Sequence, residues 1–368
     1  MTIALPVFPD NGLLTHSSVQ TWKVCPRKYF YRYRLGVRTP PGEALRIGTA
    51  FHLGCELWGQ PDMAQRLANL YYLQEDFEWA QLEMAIVSAM VLAWGQRYQG
   101  DQVIKILARE ISFELPIINP STGRQNATYR QAGKIDAIGE LPDGRICLVE
   151  RKTIGESLEP GSDYWKRLFL DSQISRYVLA ARALGYPVET VAYDVVRKPL
   201  IRPKNISKAE ATRAVADGRY FDYKITGPLP ERETPVLFAA RLHADMTARP
   251  EFYFARKEIA RLETDLLEYQ QEQWLVARQL RDAELYERDF GTAAWPRNTG
   301  ACVNPYRCEY LDICRGLAAD PLQELPDGFV RADVLHPELS STTGEKNVSQ
   351  NTNAVARAVN TIDDAPPD

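Results

Sequence analysis

The residues with the most chemistry to offer lie in one stretch, GKIDAIGELPDGRICLVERKT, residues 133–153. Pro142 suits the first central position of a type I turn, and Gly144 suits the left-handed position after Asp143. Counting back from that loop along two strands, Ile138 faces Leu148, Asp136 faces Glu150, and Lys134 faces Lys152. Directly opposed side chains have Cβ atoms roughly 5 Å apart, and Glu150 and Lys152, two apart on a strand, share a face. Two opposed carboxylates repel unless a cation lies between them, and their oxygens suit Mg²⁺ or Mn²⁺. Lys152 can then orient an attacking water or stabilise charge on phosphoryl oxygens. Metal, general base and electrostatic clamp are the parts needed to hydrolyse a phosphodiester. The competing reading is a surface hairpin in which Lys152 pairs with either acid, and the apolar β-β-α surroundings speak against it.

The second constellation is thiol. Cys302, Cys308 and Cys314 are separated by five-residue spacers, and Cys25 lies far upstream. Together they could form a four-thiolate site for a [4Fe–4S] cluster or for structural Zn²⁺, although zinc usually takes shorter cysteine spacings. Such a site would tie the beginning of the chain to its end. Cys55, in a helical stretch, and Cys147, on the opposite strand face to Glu150, read as buried core residues. The N-terminal residues lack the basic and apolar regions of a signal peptide. A cytoplasmic location is therefore expected, where thiols stay reduced and ligation is favoured over disulfides.

The elements that must position these groups follow from periodicity. Ser17 to about Leu35 reads as a helix, as do 44–59 and 62–98. Strands are expected at 103–118, 128–140 and 145–152, then a helix at 163–184 and a strand at 188–196. A long amphipathic helix is expected at 256–287 and a cysteine-rich loop at 302–314. The middle of the chain is thus β-β-β-α-β, an α/β core inside helical surroundings. From His336 to Asp368 there is no Phe, Trp or Tyr, and a disordered tail is expected. The sequence holds 45% hydrophobic residues, which excludes wholesale disorder. No apolar run reaches the roughly 20 residues of a membrane helix. There is no GK[ST] phosphate loop, which argues against a motor of that type.

With these residues in view, the stretch 133–152 resembles the core of the PD-(D/E)XK nuclease superfamily, RecB-like branch. Gly133-Lys134-Ile135-Asp136-Ala137-Ile138 matches its G-x-x-D-x-I, and Glu150-Arg151-Lys152 its E-x-K. Gln173-Ile174-Ser175-Arg176-Tyr177 matches Q-x-x-x-Y, and Gly48-Thr49-Ala50-Phe51-His52 matches G-x-x-x-H. The resemblance implies a restriction-endonuclease-like mixed β-sheet core with helical N- and C-terminal additions. It implies His52, Asp136, Glu150 and the Arg151 backbone carbonyl as metal ligands, and Lys152 as catalytic. Gln173 and Tyr177 would position DNA and the active site. Cys25-Pro26-Arg27-Lys28-Tyr29 and the 308–314 segment resemble iron–sulfur nucleases of the AddB type and CRISPR-associated exonucleases. In those families the first two C-terminal cysteines are commonly two residues apart, whereas five residues separate Cys302 from Cys308 here.

The expected organisation is a helical region at 1–102 carrying Cys25 and His52, a nuclease core at 103–200, a helical cysteine-bearing region at 201–335 and a tail at 336–368. The chain carries 44 Lys+Arg against 48 Asp+Glu, a net charge of −4, so a surface for polyanionic DNA must be local. Residues 22–38, with six Lys/Arg among aromatics, are the first candidate for phosphate contact and base stacking. Arg197, Lys198, Arg202 and Lys204 are the second. The expectation is a metal-dependent DNA nuclease, an exonuclease on single strands or duplex ends, in recombination, repair or phage DNA metabolism. The alternative is a DNA-binding or assembly subunit with a vestigial centre, working with a separate helicase.

Overall fold

The fold was analysed in a computed structural model, which describes residues 12–70, 77–99 and 103–339. Its centre is a six-stranded mixed sheet. The strands are β1 (Leu13–Leu14), β2 (Lys105–Ile118), β3 (Gln125–Glu140), β4 (Ile146–Ile154), β5 (Thr190–Arg197) and β6 (Phe254–Ile259). β2 runs antiparallel along β3, and β4 antiparallel to the far end of β3. β4 and β5 are parallel, and β6 closes the edge antiparallel to β5. The α/β, restriction-endonuclease-like architecture expected from the sequence is present.

The turn between β3 and β4 has the expected form. Gly144 adopts φ +88°, its N–H donates to the Leu141 carbonyl at 2.9 Å, and Leu141 N–H donates to the Arg145 carbonyl at 2.9 Å. The register follows: Ile138 pairs with Leu148 and Ala137 with Val149. Beyond that pair β3 and β4 part. Lower down, β3 takes β1 as its neighbour, with Leu14 beside Gln131. Arg176 bridges the gap. It is 0% exposed, and its guanidinium donates to the carbonyls of Leu14 (2.5 Å) and Ala132 (3.1 Å) and to Gln273 Oε1 (3.0 Å).

Several elements depart from expectation. The helix expected at 17–35 is broken at Cys25, which is extended (φ −165°, ψ 114°) between α1 (His16–Val24) and α2 (Pro26–Tyr29). A π-helical turn, Phe30–Arg34, follows. α3 covers Glu43–Glu56. The helix expected at 62–98 appears as α4 (Met63–Asn69) and α5 (Glu78–Arg97), and residues 71–76 lie outside those described. The 163–184 helix is two: α6 (Asp163–Leu168) and α7 (Ser172–Ala183). Arg261 accounts for that break by donating to the carbonyls of Leu168 (3.3 Å) and Asp171 (2.9 Å). Residues 256–259, expected to begin a helix, belong to β6, because Arg256 faces and forks onto Asp194 of β5. The long helix, here α10, starts at Glu263 and runs to Phe290; α8 and α9 are Lys208–Asp217 and Pro235–Ala248.

α6, α7 and part of α10 cover one face of the sheet, through Trp165, Ile174, Val178 and Leu266 against Ile138, Leu148 and Val195. α3, α5 and α9 pack together with Val196 and Phe254. Another apolar cluster joins the chain's two ends: Trp22, Tyr29, Phe30, Tyr31 and Tyr33 pack with Val276, Leu280, Trp295, Tyr310 and Ile313. The sheet thus draws β1 and β6 from outside 103–200. Of the expected tail, residues 340–368 lie outside those described. His336 stacks on Tyr33 at 5.4 Å. No helix among the described residues is long and apolar enough to cross a membrane.

Candidate active site

The point where β3 and β4 part opens into a cavity of about 470 Å³. Its walls include His52, Asp136, Glu150, Lys152, Gln173 and Tyr177, so six of the residues singled out in the sequence meet in one place. Two glycines make this approach feasible. A Cβ on Gly48 would sit 3.2 Å from Thr153 Oγ1, so its absence lets α3 lie against β4 and bring His52 in. A Cβ on Gly133 would strike the Phe113 ring at 2.6 Å and crowd Tyr177 at 3.1 Å.

The polar groups form two connected sets. Lys152 Nζ lies 2.6 Å from Glu150 Oε1 and donates to Gln173 Oε1 at 2.8 Å. Gln173 Nε2 in turn donates to the Tyr177 hydroxyl at 3.0 Å. Gln173 is fixed from below, because Asp171 caps α7 by accepting its N–H at 2.8 Å. In the second set, Asp136 Oδ2 accepts the Arg151 backbone N–H at 2.9 Å and lies 3.5 Å from His52 Nδ1. The Arg151 side chain, by contrast, points to the reverse of the sheet and lines a different pocket.

The two carboxylates are held differently. Burial pushes the Glu150 pKa up to about 7, with Asp136 adding to it and Lys152 opposing it. Burial would also raise Asp136, but His52, then Arg151 and Lys152, outweigh it and hold that carboxyl well below its usual range. Burial opposes the charge on Lys152 as well, yet Glu150 raises its pKa and keeps the ammonium.

The chemistry of the donor set suits a divalent cation. Glu150 is 2% exposed, and its Oε2 is buried with no hydrogen-bond partner. The cavity walls carry Glu56, Glu110, Asp136, Glu150 and Glu338 against Lys134, Lys152 and Lys198, an acidic excess. Among the described residues no three His, Cys, Asp or Glu side chains are gathered tightly enough to hold one metal ion as they stand; Lys152 and His52 occupy the inner oxygens.

Sequence reasoning missed three contributors. Glu110 lies on β2 between Arg109, which pairs with Ala137, and Ile111, which pairs with Ile135. It is thereby bracketed opposite Asp136, with φ +49°, and forms an ion pair with Lys134. His16, at the start of α1, also lines the cavity. Burial, then the charges of Arg176, Lys152 and Lys23, push its pKa down to about 3, so it is neutral at ordinary pH. Glu338 reaches the cavity from beyond the expected core. Lys198 lies on the wall and donates to the Ala44 carbonyl at 3.0 Å. Its neighbours in the second basic patch are engaged elsewhere: Arg197 over the Phe252 ring, Arg202 on Glu43 and Lys204 on Glu210.

The basic, aromatic segment 22–38 is not an open DNA groove. Trp22, Tyr29, Phe30, Tyr31 and Tyr33 are buried, and the cations are spoken for. Lys23 pairs with Glu272, Lys28 with Glu309, and Arg34 with Glu287. Arg27 is buried and donates from Nε to the Trp295 carbonyl (2.9 Å) and from Nη2 to the Thr292 carbonyl (2.5 Å). The segment is a clasp between chain ends.

Beside that clasp, Cys25, Cys302, Cys308 and Cys314 all line one cavity of about 230 Å³, and none of the cysteines is in a disulfide. The break at Cys25 leaves its Sγ to accept the Asn298 N–H at 3.4 Å. Cys55 and Cys147 are fully buried core residues, as expected, with thiol pKa values raised by burial.

Comparison with known proteins gives three findings. A family model described as the PD-(D/E)XK nuclease superfamily matches residues 13–315. No curated protein matches the chain. Among solved structures, one titled "Crystal structure of SSO0001" is similar at 15% identity over 65% of this chain and 76% of that chain, with a TM-score of 0.24.

Proposed function

This chain belongs to the PD-(D/E)XK nuclease superfamily, and from that premise we propose that it is a DNA exonuclease dependent on Mg²⁺ or Mn²⁺. We further propose that it is of the RecB-like, iron–sulfur branch, acting on single strands or duplex ends in recombination, repair or phage DNA metabolism. The observation that carries this reading is the meeting of His52, Asp136, Glu150, Lys152, Gln173 and Tyr177 on one acidic cavity.

His52, Asp136, Glu150 and the Arg151 carbonyl would hold the metal, which when bound supplies Lewis-acid activation of phosphate and water. The chain's own groups do the rest. Lys152 keeps its proton and offers positive charge where phosphoryl oxygens gain negative charge. Gln173 fixes the direction of the Lys152 ammonium, and Tyr177 fixes Gln173. His52 keeps Asp136 ionised and so ready to accept a cation. Lys198 and Lys134 stand on the wall to meet flanking phosphates.

For the four thiols a [4Fe–4S] cluster is the better reading than zinc. A single zinc ion needs its sulfurs about 2.3 Å from one point, whereas these surround a cavity. The regions 1–102, 103–200 and 201–335 are then clasp, core and clasp, and a cytoplasmic setting keeps the thiols available. A helicase or recombination protein is the proposed partner.

The test is digestion of end-labelled and circular, single- and double-stranded DNA with Mg²⁺ or Mn²⁺. Asp136→Ala, Glu150→Ala and Lys152→Ala should each abolish cleavage; three fully active variants would refute the assignment. Iron, sulfide and zinc analysis after anaerobic purification tests the thiol site. A vestigial centre working through a helicase would show as DNA binding without cleavage, and the full set of gathered side chains speaks against it.

A further inference from the structure

The strand that carries Glu150 and Lys152 on one face carries Arg151 on the other. Arg151 is 4% exposed. Among the described residues its guanidinium has no hydrogen-bond or ion-pair partner, and its Nε is buried and unsatisfied. Its visible company is the face of Trp94, at 5.4 Å. A buried guanidinium left this way is costly unless something pairs with it.

The surroundings make the deficit larger. Arg151 stands beside Asp194 on β5, and Asp194 beside Arg256 on β6. Asp194 is taken by the two-pronged contact from Arg256, whose guanidinium lies 4.0 Å over the Tyr98 ring. Arg109, on β2, donates to the Cys55 carbonyl at 3.2 Å. Burial, then the charge of Arg151, pulls the Arg109 pKa below its usual value. These three arginines and one aspartate line a cavity of about 180 Å³, together with Trp58, Trp94 and Tyr98. Gln99 and Val103, both exposed, also line it.

We propose that this cavity, on the reverse of the catalytic strand, is a binding site for a phosphate dianion, free or esterified at one oxygen. Three cations against one anion leave room for a doubly charged ligand, and guanidinium forks match phosphate oxygens. The volume is about six waters' worth, enough for a phosphoryl group. The dianion has two sources, free orthophosphate and a 5′-mononucleotide. Neither requires the nuclease reading, so the site stands or falls independently of it.

The full chain in EDTA, without divalent metal, is titrated with sodium phosphate, dAMP or deoxyadenosine at ionic strength matched by chloride, and its melting temperature is followed. In EDTA the acidic catalytic cavity repels anions. Phosphate and dAMP are expected to raise the melting temperature saturably, and deoxyadenosine to leave it unchanged. Arg109→Gln should weaken the half-saturation at least tenfold. Arg151→Met should abolish the response. A tenfold lower half-saturation for dAMP identifies the mononucleotide as the natural source; equal or reversed order identifies orthophosphate. No saturable rise with either ligand, or a full response retained in Arg109→Gln, overturns the proposal.

Discussion

Replacing Lys152 by methionine keeps most of the bulk of that side chain and removes its charge, so it isolates what the ammonium does for Glu150. In the wild type burial pushes the Glu150 pKa up to about 7, from an ordinary value of 4.5. A carboxyl raised on folding binds its proton more tightly in the folded chain, so this group lowers stability as pH climbs from 4.5 to 7. Above 7 the wild-type carboxylate is ionised against Lys152 at 2.6 Å, and the decline levels off. In Lys152→Met the carboxylate, 2% exposed and with Oε2 already unpartnered, has no cation at that distance. It must keep its proton, and each pH unit above 7 then costs the variant about 1.4 kcal/mol relative to wild type. The lost bond to Gln173 adds about 1 kcal/mol at every pH. The expected deficit is about 1 kcal/mol at pH 6 and about 2–3 kcal/mol at pH 8. Urea unfolding in EDTA from pH 5.5 to 8.5 measures it. Parallel stability curves for the two proteins would refute the electrostatic account of this pair. Mn²⁺ should narrow the gap at pH 8, since it replaces the missing positive charge, yet cleavage should stay lost.

Three further outcomes follow from packing and ligation. Arg27→Met leaves the Trp295 and Thr292 carbonyls without their donor and should cost about 2 kcal/mol, read by urea unfolding; a loss below about 0.5 kcal/mol would mean the clasp is not held there. Gly95→Ala would set a methyl 2.0 Å from the Trp58 ring, and an overpacking loss of about 1–3 kcal/mol is expected. An unchanged melting temperature and tryptophan emission would contradict that. Under the cluster proposed for the four thiols, single Cys→Ser changes at Cys25, Cys302, Cys308 and Cys314 should each lower bound iron, whereas Cys55→Ser and Cys147→Ser should retain it; no iron in the wild type, or equal iron in all six variants, would refute that site.

The parts of the site that could be read in advance depend on local geometry. The Pro142-Asp143-Gly144 turn fixes the β3–β4 register as far as Ala137 and Val149, where the strands part; the pairings of Asp136 with Glu150 and of Lys134 with Lys152 expected by counting further do not form in the ladder, although both acids still reach the one cleft. Glu110 was not, because β2 and β3 slip between Pro116 and Ile118. Counting back from the Asn119 turn without that slip sets Glu110 against Gly133 rather than Asp136. Residues 22–38 read equally as a DNA-contacting segment or as a helix with its aromatics packed inward, because composition does not tell which way an aromatic face turns; the structure turns them inward. The acids that neutralise that segment, Glu272, Glu287 and Glu309, lie about 250 to 280 residues downstream of their partners. The strand Phe254–Ile259 looked helical by its charges, and only Asp194, on the neighbouring strand, gives Arg256 a reason to be there.

The clasp also sets an order of events during synthesis. Trp22, Tyr29 and Tyr33 leave the ribosome early, but the surfaces that cover them, Val276, Leu280 and Trp295, are made some 250 residues later. Leu14, which borders the gap where the cavity opens, must likewise wait for Gln131. A nascent or prematurely terminated chain therefore exposes a sticky aromatic segment and has an unsealed cleft. The clasp closes only after residues 276–313 have been translated, so the fold of this nuclease is finished late in synthesis.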